Sequence, residues 1–403
     1  MRITYLHQYF NTPEMAGGTR SYEMARRLVA QGHEVNMITS WAEPDGRRDW
    51  FETHEAGIRV HWLPTPYSNH MGYWERILAF LRFAWAAARK AASIPTDVVF
   101  ATSTPLTIAL PGVYAQWRQK APLVFEVRDL WPDVPYEMGA IRSKLLFRSA
   151  RLLENFSYRR SARIVVLTPT MRDFLSGKGV PFEKIKVIPN LASLSDFDPA
   201  PNGKDGAKGT CFRLLYCGAL GPAHDPRFLV DLASEFYTLK ADILIDVLGD
   251  GRQRIDLERK ADSSGCLSKT IRFHGKVPRQ RIPDFYKKSD ASIMTISNVP
   301  LLYHHSVQNK FFDSMAAGRP VFANYRGWAS EVAEIAGAGW IVDRHDVTES
   351  ASRIMEILSD QERLRRSQVA ARTLAEKRFD ANFLAKDMEA VLAASIQSTG
   401  KTD

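Results

Sequence analysis

The chain is predicted to be an α/β protein made of two Rossmann-like domains with parallel sheets. Three observations predict this. Its 403 residues exceed what one hydrophobic core usually serves, so two domains are expected. Short β-branched or apolar runs alternate with helical stretches along the whole length. Most of these runs are continuously apolar, as parallel strands buried on both faces require.

In the first half the strand candidates are residues 3–6, 35–39, 98–101, 123–127, 164–168 and 186–188. In the second half they are 213–217, 243–248, 271–274, 291–296, 321–324 and 340–342. Helices are expected between them, over 19–30, 226–239, 308–317 and 349–358. This is the strand–helix–strand pattern repeated twice. Residues 196–210 are polar, contain Pro and Gly and carry no periodicity, which marks a connector. The expected domains are therefore 1–195 and 211–380. Beyond Lys377 the chain reads as a helix to about residue 397, and 381–403 is expected to cross back onto the first domain.

Hydrophobic residues make up 45% and charged residues 25%, ordinary values for a soluble globular protein. A net charge of +9 admits nucleic acid, anionic lipid or a phosphorylated substrate as partner. No zinc finger, RNA-binding aromatic signature or basic zipper is present, so nucleic acid is not expected. Cys211, Cys217 and Cys266 fit neither metal-ligand nor disulfide spacing and suit a reducing cytosol. The chain opens directly on a strand-like run, so no secretory signal is expected. Its longest apolar stretch, 77–92, is broken by Arg82, Arg89 and Lys90 and is a poor membrane span. No metal or cofactor is expected: Asp246 falls within a strand and Asp250 in a loop, and adjacent His304 and His305 rarely point at one ion.

Open α/β sheets bind ligands beyond the carboxyl ends of their strands. Two rims of glycines, amides and charges collect there. The first holds 8–18, Thr102, Ser103, Arg128, Asp129, Thr168 and Asn190; the second holds 218–221, 249–251, Gly275, Lys276, 296–310 and 324–327. Facing each other, they would form an interdomain cleft.

The segment 307–321, VQNKFFDSMAAGRPV, is the most informative. Asn309 and Lys310 can meet an anion at a helix start, and Asp313, one turn on, can accept hydroxyl hydrogen bonds. A phosphorylated ribose needs that combination. The competing reading is an amphipathic helix ending in an ordinary Gly-Arg-Pro turn. Gly17-Gly18 lets backbone approach a ligand, or merely turns the chain. In EVRDLWP (126–132), Arg128 or Asp129 handles a hydroxyl or phosphate, or the charges form a structural ion pair. In GALGPAHD (218–225), amides at Gly218 and Gly221 hold a diphosphate and His224 donates to it, or the loop is a capped turn. Gly251, Lys276 and Ser306 join the donor-side candidates by rim position.

Trp74, Ile77, Leu78, Leu81 and Trp85 fall on one helical face, with Arg82 and Arg89 beside it. Such a stripe suits either an interfacial membrane helix or a helix packed in the core. The window 139–163 adds Arg142, Lys144, Arg148, Arg151, Arg159, Arg160 and Arg163 against Glu154 alone. Each basic residue near an anionic surface adds about 1 kcal/mol. Trp74, Trp85, Arg82, Arg148 and Arg151 are thus candidates for membrane or acceptor contact.

Several stretches then match a known pattern: QYFNTPEMAGGTR (8–20), ARRLVAQGHEV (25–35), VRDLWPD (127–133), KIKVIPN (184–190), YCGALGPAHD (216–225), VLGDG (247–251) and NKFFDSMAAGRPV (309–321). Through them the chain resembles, over nearly its whole length, the retaining GT-B-fold glycosyltransferases of family 4. The bacterial fucosamine-transferase-like branch that builds O-antigen and capsule is the most similar. The resemblance implies an acceptor-binding first domain, a sugar-nucleotide-binding second domain and a returning C-terminal helix. It implies Asp313 on the donor ribose, and Gly218, Gly221 and the Asn309-Lys310 helix start on the diphosphate. Gly17-Gly18 would lie under the donor phosphates and Asp129 beside the reacting centre. The family's paired glutamates, eight positions apart, read here as His305 and Asp313. The usual Arg and Lys after the Gly-rich turn are absent from 219–225, leaving Lys310, His224 or Arg128 to neutralise the diphosphate.

The expected reaction moves a sugar, with retention, from a nucleoside-diphosphate donor to a polyprenyl-diphosphate-linked acceptor at the anionic inner face of the cytoplasmic membrane. A UDP-linked N-acetyl sugar is the donor the resemblance suggests. Asp129, Arg128 and Lys310 form the expected catalytic set. Two other readings fit the same rims. A GT-B-shaped sugar-nucleotide epimerase would turn over donor without acceptor; a non-catalytic membrane-bound sensor would bind donor and transfer nothing. A phosphorylase would need a cofactor lysine and a larger domain, neither of which is located.

Overall fold

The structure, a computed structural model, describes residues 1–15, 17–43, 45–65, 73–197 and 211–399. Most of the expected connector, 198–210, and the side chains of Trp74 and Ile77 lie outside the described residues. The chain divides into two compact units. One comprises Met1–Thr12, Gly18–Pro189 and Ala381–Asp403; the other comprises Pro13–Gly17 and Asn190–Asp380.

The first unit is built on eight strands: β1 (Arg2–Leu6), β2 (Glu34–Trp41), β3 (Phe51–Glu55), β4 (Ile58–Pro64), β5 (Val98–Thr102), β6 (Leu123–Val127), β7 (Arg163–Val166) and β8 (Ile185–Val187). They are ordered β3-β4-β2-β1-β5-β6-β7-β8. All neighbours are parallel except β3 and β4. The β3–β4 hairpin is absent from the sequence reading because β3 alternates half-buried and exposed residues, so it never forms an apolar run. Its signal is the turn: Ala56 and Gly57 both take positive φ, 49° and 83°, as a two-residue hairpin loop requires.

The second unit carries six strands: β9 (Phe212–Cys217), β10 (Ile243–Leu248), β11 (Ile271–Gly275), β12 (Ala291–Met294), β13 (Val321–Ala323) and β14 (Gly339–Ile341). All pairs are parallel, in the order β11-β10-β9-β12-β13-β14. This is the doubly wound order, and strand direction of travel reverses between β9 and β12, where such sheets bind ligands. In the first unit the corresponding reversal lies between β1 and β5.

The helix Ala381–Thr399 groups with the first unit and packs on helix α1 (Arg20–Ala30). Arg27 Nε donates to Asn382 Oδ1 at 2.9 Å, and His33 Nε2 lies 2.8 Å from Glu389 Oε1. Leu384, Met388 and Leu392 bury its inner face. The first unit breaks after Pro189 rather than at residue 195. Ala192 donates to the Phe379 carbonyl at 2.8 Å, drawing the stretch after 189 to the second unit.

Candidate functional site

The loop 218–221 leaves β9 at the reversal point of the second sheet and stacks backbone on backbone against loop 249–251. Gly218 N–H donates to Leu248 O at 2.9 Å, and Leu220 N–H to Asp250 O at 3.0 Å. A Cβ on Gly251 would meet Leu220 O at 2.4 Å. This stacking requires a glycine at position 251, one of the donor-side candidates. Around Gly221, by contrast, a Cβ would meet nothing within 4 Å.

The helix Asn309–Ala316 begins at this loop. Lys310 is its second residue and is buried. Its Nζ has no hydrogen-bond partner among the described residues and rests 3.5 Å from the centroid of the Tyr216 ring. A Cβ on Gly218 would lie 3.0 Å from that Nζ, so the missing side chain lets the ammonium sit against the loop. Burial pushes the pKa of Lys310 down to about 7.

Gln308 precedes the helix. Its Nε2 donates to Thr295 O and to His224 Nδ1, each at 3.0 Å. Burial, with Lys310 near, pushes His224 down to about 3, so its imidazole is neutral. With Nδ1 accepting, the proton sits on Nε2, which makes Nε2–H a donor.

Asp313 lies one helical turn beyond Lys310 and is buried. Both its oxygens are taken by Arg279, at 2.5 and 2.6 Å in a fork-to-fork pair. Asp313 was expected to stand open to a diol; only the outer lone pairs of its carboxylate remain available. Arg279 comes from the loop after β11 and lies over the Phe197 ring at 5.4 Å. No periodicity or motif announces it in the sequence. Of the other candidates, Lys276 is exposed, Asn309 and Ser306 are half-buried, and Ser306 N–H donates to Leu302 O at 2.8 Å.

In the first unit, Glu126 at the end of β6 is fully buried and paired with Arg20, the first residue of α1, at 2.6 Å. Arg20 also donates to the carbonyls of Pro189 (2.5 Å) and Ile188 (3.0 Å), and Thr102 Oγ1 donates to Glu126 Oε2 at 3.0 Å. The structural ion pair of this region is therefore Arg20–Glu126. Arg128 and Asp129 are in no ion pair among the described residues. Asp129 is exposed and accepts from Thr104 Oγ1 at 2.8 Å, while the Arg128 N–H donates to Ser103 Oγ at 3.1 Å. His7, just past β1, is buried, and desolvation with Arg128 and Arg20 nearby holds it neutral, well below the usual imidazole range. Gly17 takes φ 137° within the segment Pro13–Gly17 that groups with the second unit. Gly18 accepts from Asn11 Nδ2 at 3.4 Å.

Of the apolar stripe on helix α2 (Tyr73–Ser93), the described side chains face outward. Leu78, Leu81 and Trp85 are exposed with Arg82 and Arg89, while Phe83, Ala84, Ala87 and Ala91 pack inward. Helix α3 (Ala109–Gln119) packs against α2 and against the helix Lys144–Arg160. It exposes Leu110, Tyr114 and Trp117; the latter helix exposes Leu145, Leu152 and Phe156. Trp85, Trp117, Leu145 and Leu152 are 70%, 69%, 75% and 70% exposed. Arg118, Lys144, Arg148, Arg159 and Arg160 are exposed on the same helices. Arg151 departs from expectation. It bridges Asp133 and Glu154, which also hold Lys178, so its charge is spent inside the fold. No described helix is long and apolar enough to cross a membrane.

Comparison with known proteins places both units. Residues 16–191 match the glycosyl transferase 4-like domain, and residues 211–360 match glycosyl transferases group 1. A D-inositol 3-phosphate glycosyltransferase of Thermobispora bispora is 24% identical over 50% of this chain and 49% of its own. The chain thus spans about half the length of the curated relatives it matches. A sucrose-phosphate synthase from Thermosynechococcus elongatus shares the fold with TM-score 0.75 and 16% identity, covering 98% of this chain and 99% of that one. Anabaena HepE, solved with UDP-glucose, shares it with TM-score 0.73 and 17% identity over 98% and 100%. With one model on each unit and the greater part of the sequence matched, the chain belongs to the two-domain, GT-B-fold glycosyltransferases of the family 4 type.

Proposed function

We propose that the protein transfers a sugar, with retention, from a nucleoside-diphosphate sugar to a lipid-linked saccharide in surface polysaccharide synthesis, working on the anionic inner face of the cytoplasmic membrane. The observation that carries the donor half is Lys310: a buried ammonium without a hydrogen-bond partner among the described residues, lying against a glycine loop at a sheet reversal point. An unpaired buried cation is costly, and an arriving diphosphate removes that cost.

When the anomeric C–O bond breaks, negative charge builds on the diphosphate. Lys310, the Nε2–H of His224 and backbone amides at Gly218, Gly221 and Asn309 are the groups assigned to it. Donors fixed in place before the reaction stabilise that charge without reorganisation. Asp129, steadied by Thr104, orients the acceptor hydroxyl with Arg128 beside it, and a donor phosphate oxygen takes the proton. UDP is the favoured carrier and an N-acetyl sugar the favoured cargo; a fold relative solved with UDP-glucose supports the first.

The membrane half rests on the outward face of α2, α3 and Lys144–Arg160. Tryptophans and leucines ringed by arginines suit an interface whose interior is apolar and whose surface is anionic.

The test has two steps. A thermal-shift screen of nucleoside diphosphates and their sugars identifies the donor, since stabilisation grows as ligand passes Kd. The labelled donor is then incubated with a bacterial lipid extract, and the product linkage is read by NMR. Labelled lipid with the donor's anomeric configuration is expected. Donor turnover without acceptor would mark an epimerase; binding without turnover, a sensor.

A further inference from the structure

Lys310 and Asp313 stand three residues apart on one helix, the spacing at which a lysine and an aspartate ordinarily pair. They do not pair here. Asp313 gives both oxygens to Arg279, and Lys310 is left with the ring of Tyr216. We propose that Arg279 is a positioning residue that captures Asp313, keeping Lys310 unpaired for the donor diphosphate while turning the carboxylate's outer lone pairs toward the ribose hydroxyls. This rests on the donor reading above.

Three features of the pair support it. The fork-to-fork geometry fixes the plane of a carboxylate too short to reach far by itself. Each oxygen keeps acceptor capacity after its bond to Arg279. The guanidinium also cancels a negative charge that would repel a diphosphate one turn away. Arg279 is half-buried, with 14% of its side chain exposed against 7% for Asp313, and Asp313 holds it charged against the opposing effect of desolvation.

The experiment titrates wild type, R279M and R279M/D313N with inorganic pyrophosphate, with the nucleoside diphosphate found in the screen, and with its 2′,3′-dideoxy analogue. Wild type is expected to prefer the ribose form about tenfold or more, because a site built for hydroxyls rejects their absence. In R279M, Asp313 turns to Lys310, so pyrophosphate affinity falls about tenfold. In R279M/D313N, Lys310 is freed again, and pyrophosphate affinity returns to within about twofold of wild type while the ribose preference stays lost. The double variant leaves no buried charge orphaned beyond Lys310, which is already unpaired in the wild type, and is expected to fold even where R279M does not. R279K is the further safeguard: a point charge in place of the fork is expected to weaken the ribose preference.

Wild-type pyrophosphate affinity in R279M, an unrecovered double variant, or a ribose preference that survives in R279M/D313N each overturns the proposal. Wild type that binds neither pyrophosphate nor nucleotide overturns the donor reading itself, a different result from R279M behaving like wild type.

Discussion

Arg20 and Lys310 are both buried cations at helix starts, one in each unit, and their surroundings are opposite. Arg20 sits at the head of α1 with Glu126 and two backbone carbonyls around its guanidinium. Lys310 sits at the head of Asn309–Ala316 with no hydrogen bond at its ammonium among the described residues. The first arrangement is complete and holds β6, β8 and α1 together. In the second, no carboxylate among the described residues bonds the ammonium. Burial alone therefore does not separate architecture from binding; the state of the partners does.

Breaking Arg20 gives the largest effect. R20M leaves the fully buried Glu126 without its ion-pair partner, and removing one member of a buried pair costs about 3–5 kcal/mol. Chemical denaturation should show that loss. K310M should show none, or a gain, because it removes a charge with no pair. Equal destabilisation by the two substitutions would erase the distinction.

The next effect concerns catalysis in the first unit. Asp129 is exposed and outside any ion pair among the described residues, unlike its near neighbour Glu126. D129A should lower kcat about 100-fold with donor Kd unchanged. A loss confined to donor binding would move Asp129 out of its assigned role.

Lys310 then sharpens the comparison through pH. Its folded pKa of about 7 is depressed from the ordinary lysine value, so the free protein holds a charged Lys310 below that pH and a neutral one above it. The anionic donor binds the charged form. Affinity for the nucleoside-diphosphate sugar, whose diphosphate has no proton titrating nearby, should be flat below pH 7. Above it, affinity should fall by as much as tenfold per unit. Calorimetric titration from pH 6 to 9 reads this directly. K310M should bind about tenfold to a hundredfold more weakly at pH 6, with a flat profile. A wild-type profile equally flat would place the anion elsewhere.

The same contrast shows what the sequence discloses. Continuous apolar runs announced nearly every parallel strand, because burial on both faces leaves a compositional mark. The β3–β4 hairpin left only a two-residue turn, since half of it faces water. The stretch 309–313 disclosed a cation and a carboxylate with helical spacing. It could not disclose that the carboxylate is already held, because Arg279 arrives from a loop 34 residues earlier. Arg20–Glu126 spans 106 residues and is equally silent in a single sequence. Spacing reveals neighbours within one element; pairing between elements is a property of the fold.

The smallest effect separates two arginines on one helix. Arg148 and Arg151 both lie in the basic window, and composition treats them alike. Arg148 is exposed beside Leu145 and Leu152, whereas Arg151 is held by Asp133 and the fully buried Glu154. R148A should weaken binding to vesicles rich in phosphatidylglycerol by about fivefold, the worth of about 1 kcal/mol at an anionic surface, and leave the melting temperature alone. R151A should lower the melting temperature and, below it, leave vesicle binding nearly unchanged, because the lost charge was already neutralised. Both substitutions alter net charge equally, and charges beyond about 8 Å are screened at physiological salt. Equal losses of vesicle binding would mean that total charge, rather than the face formed by Trp85, Trp117, Leu145 and Leu152, draws the protein to lipid.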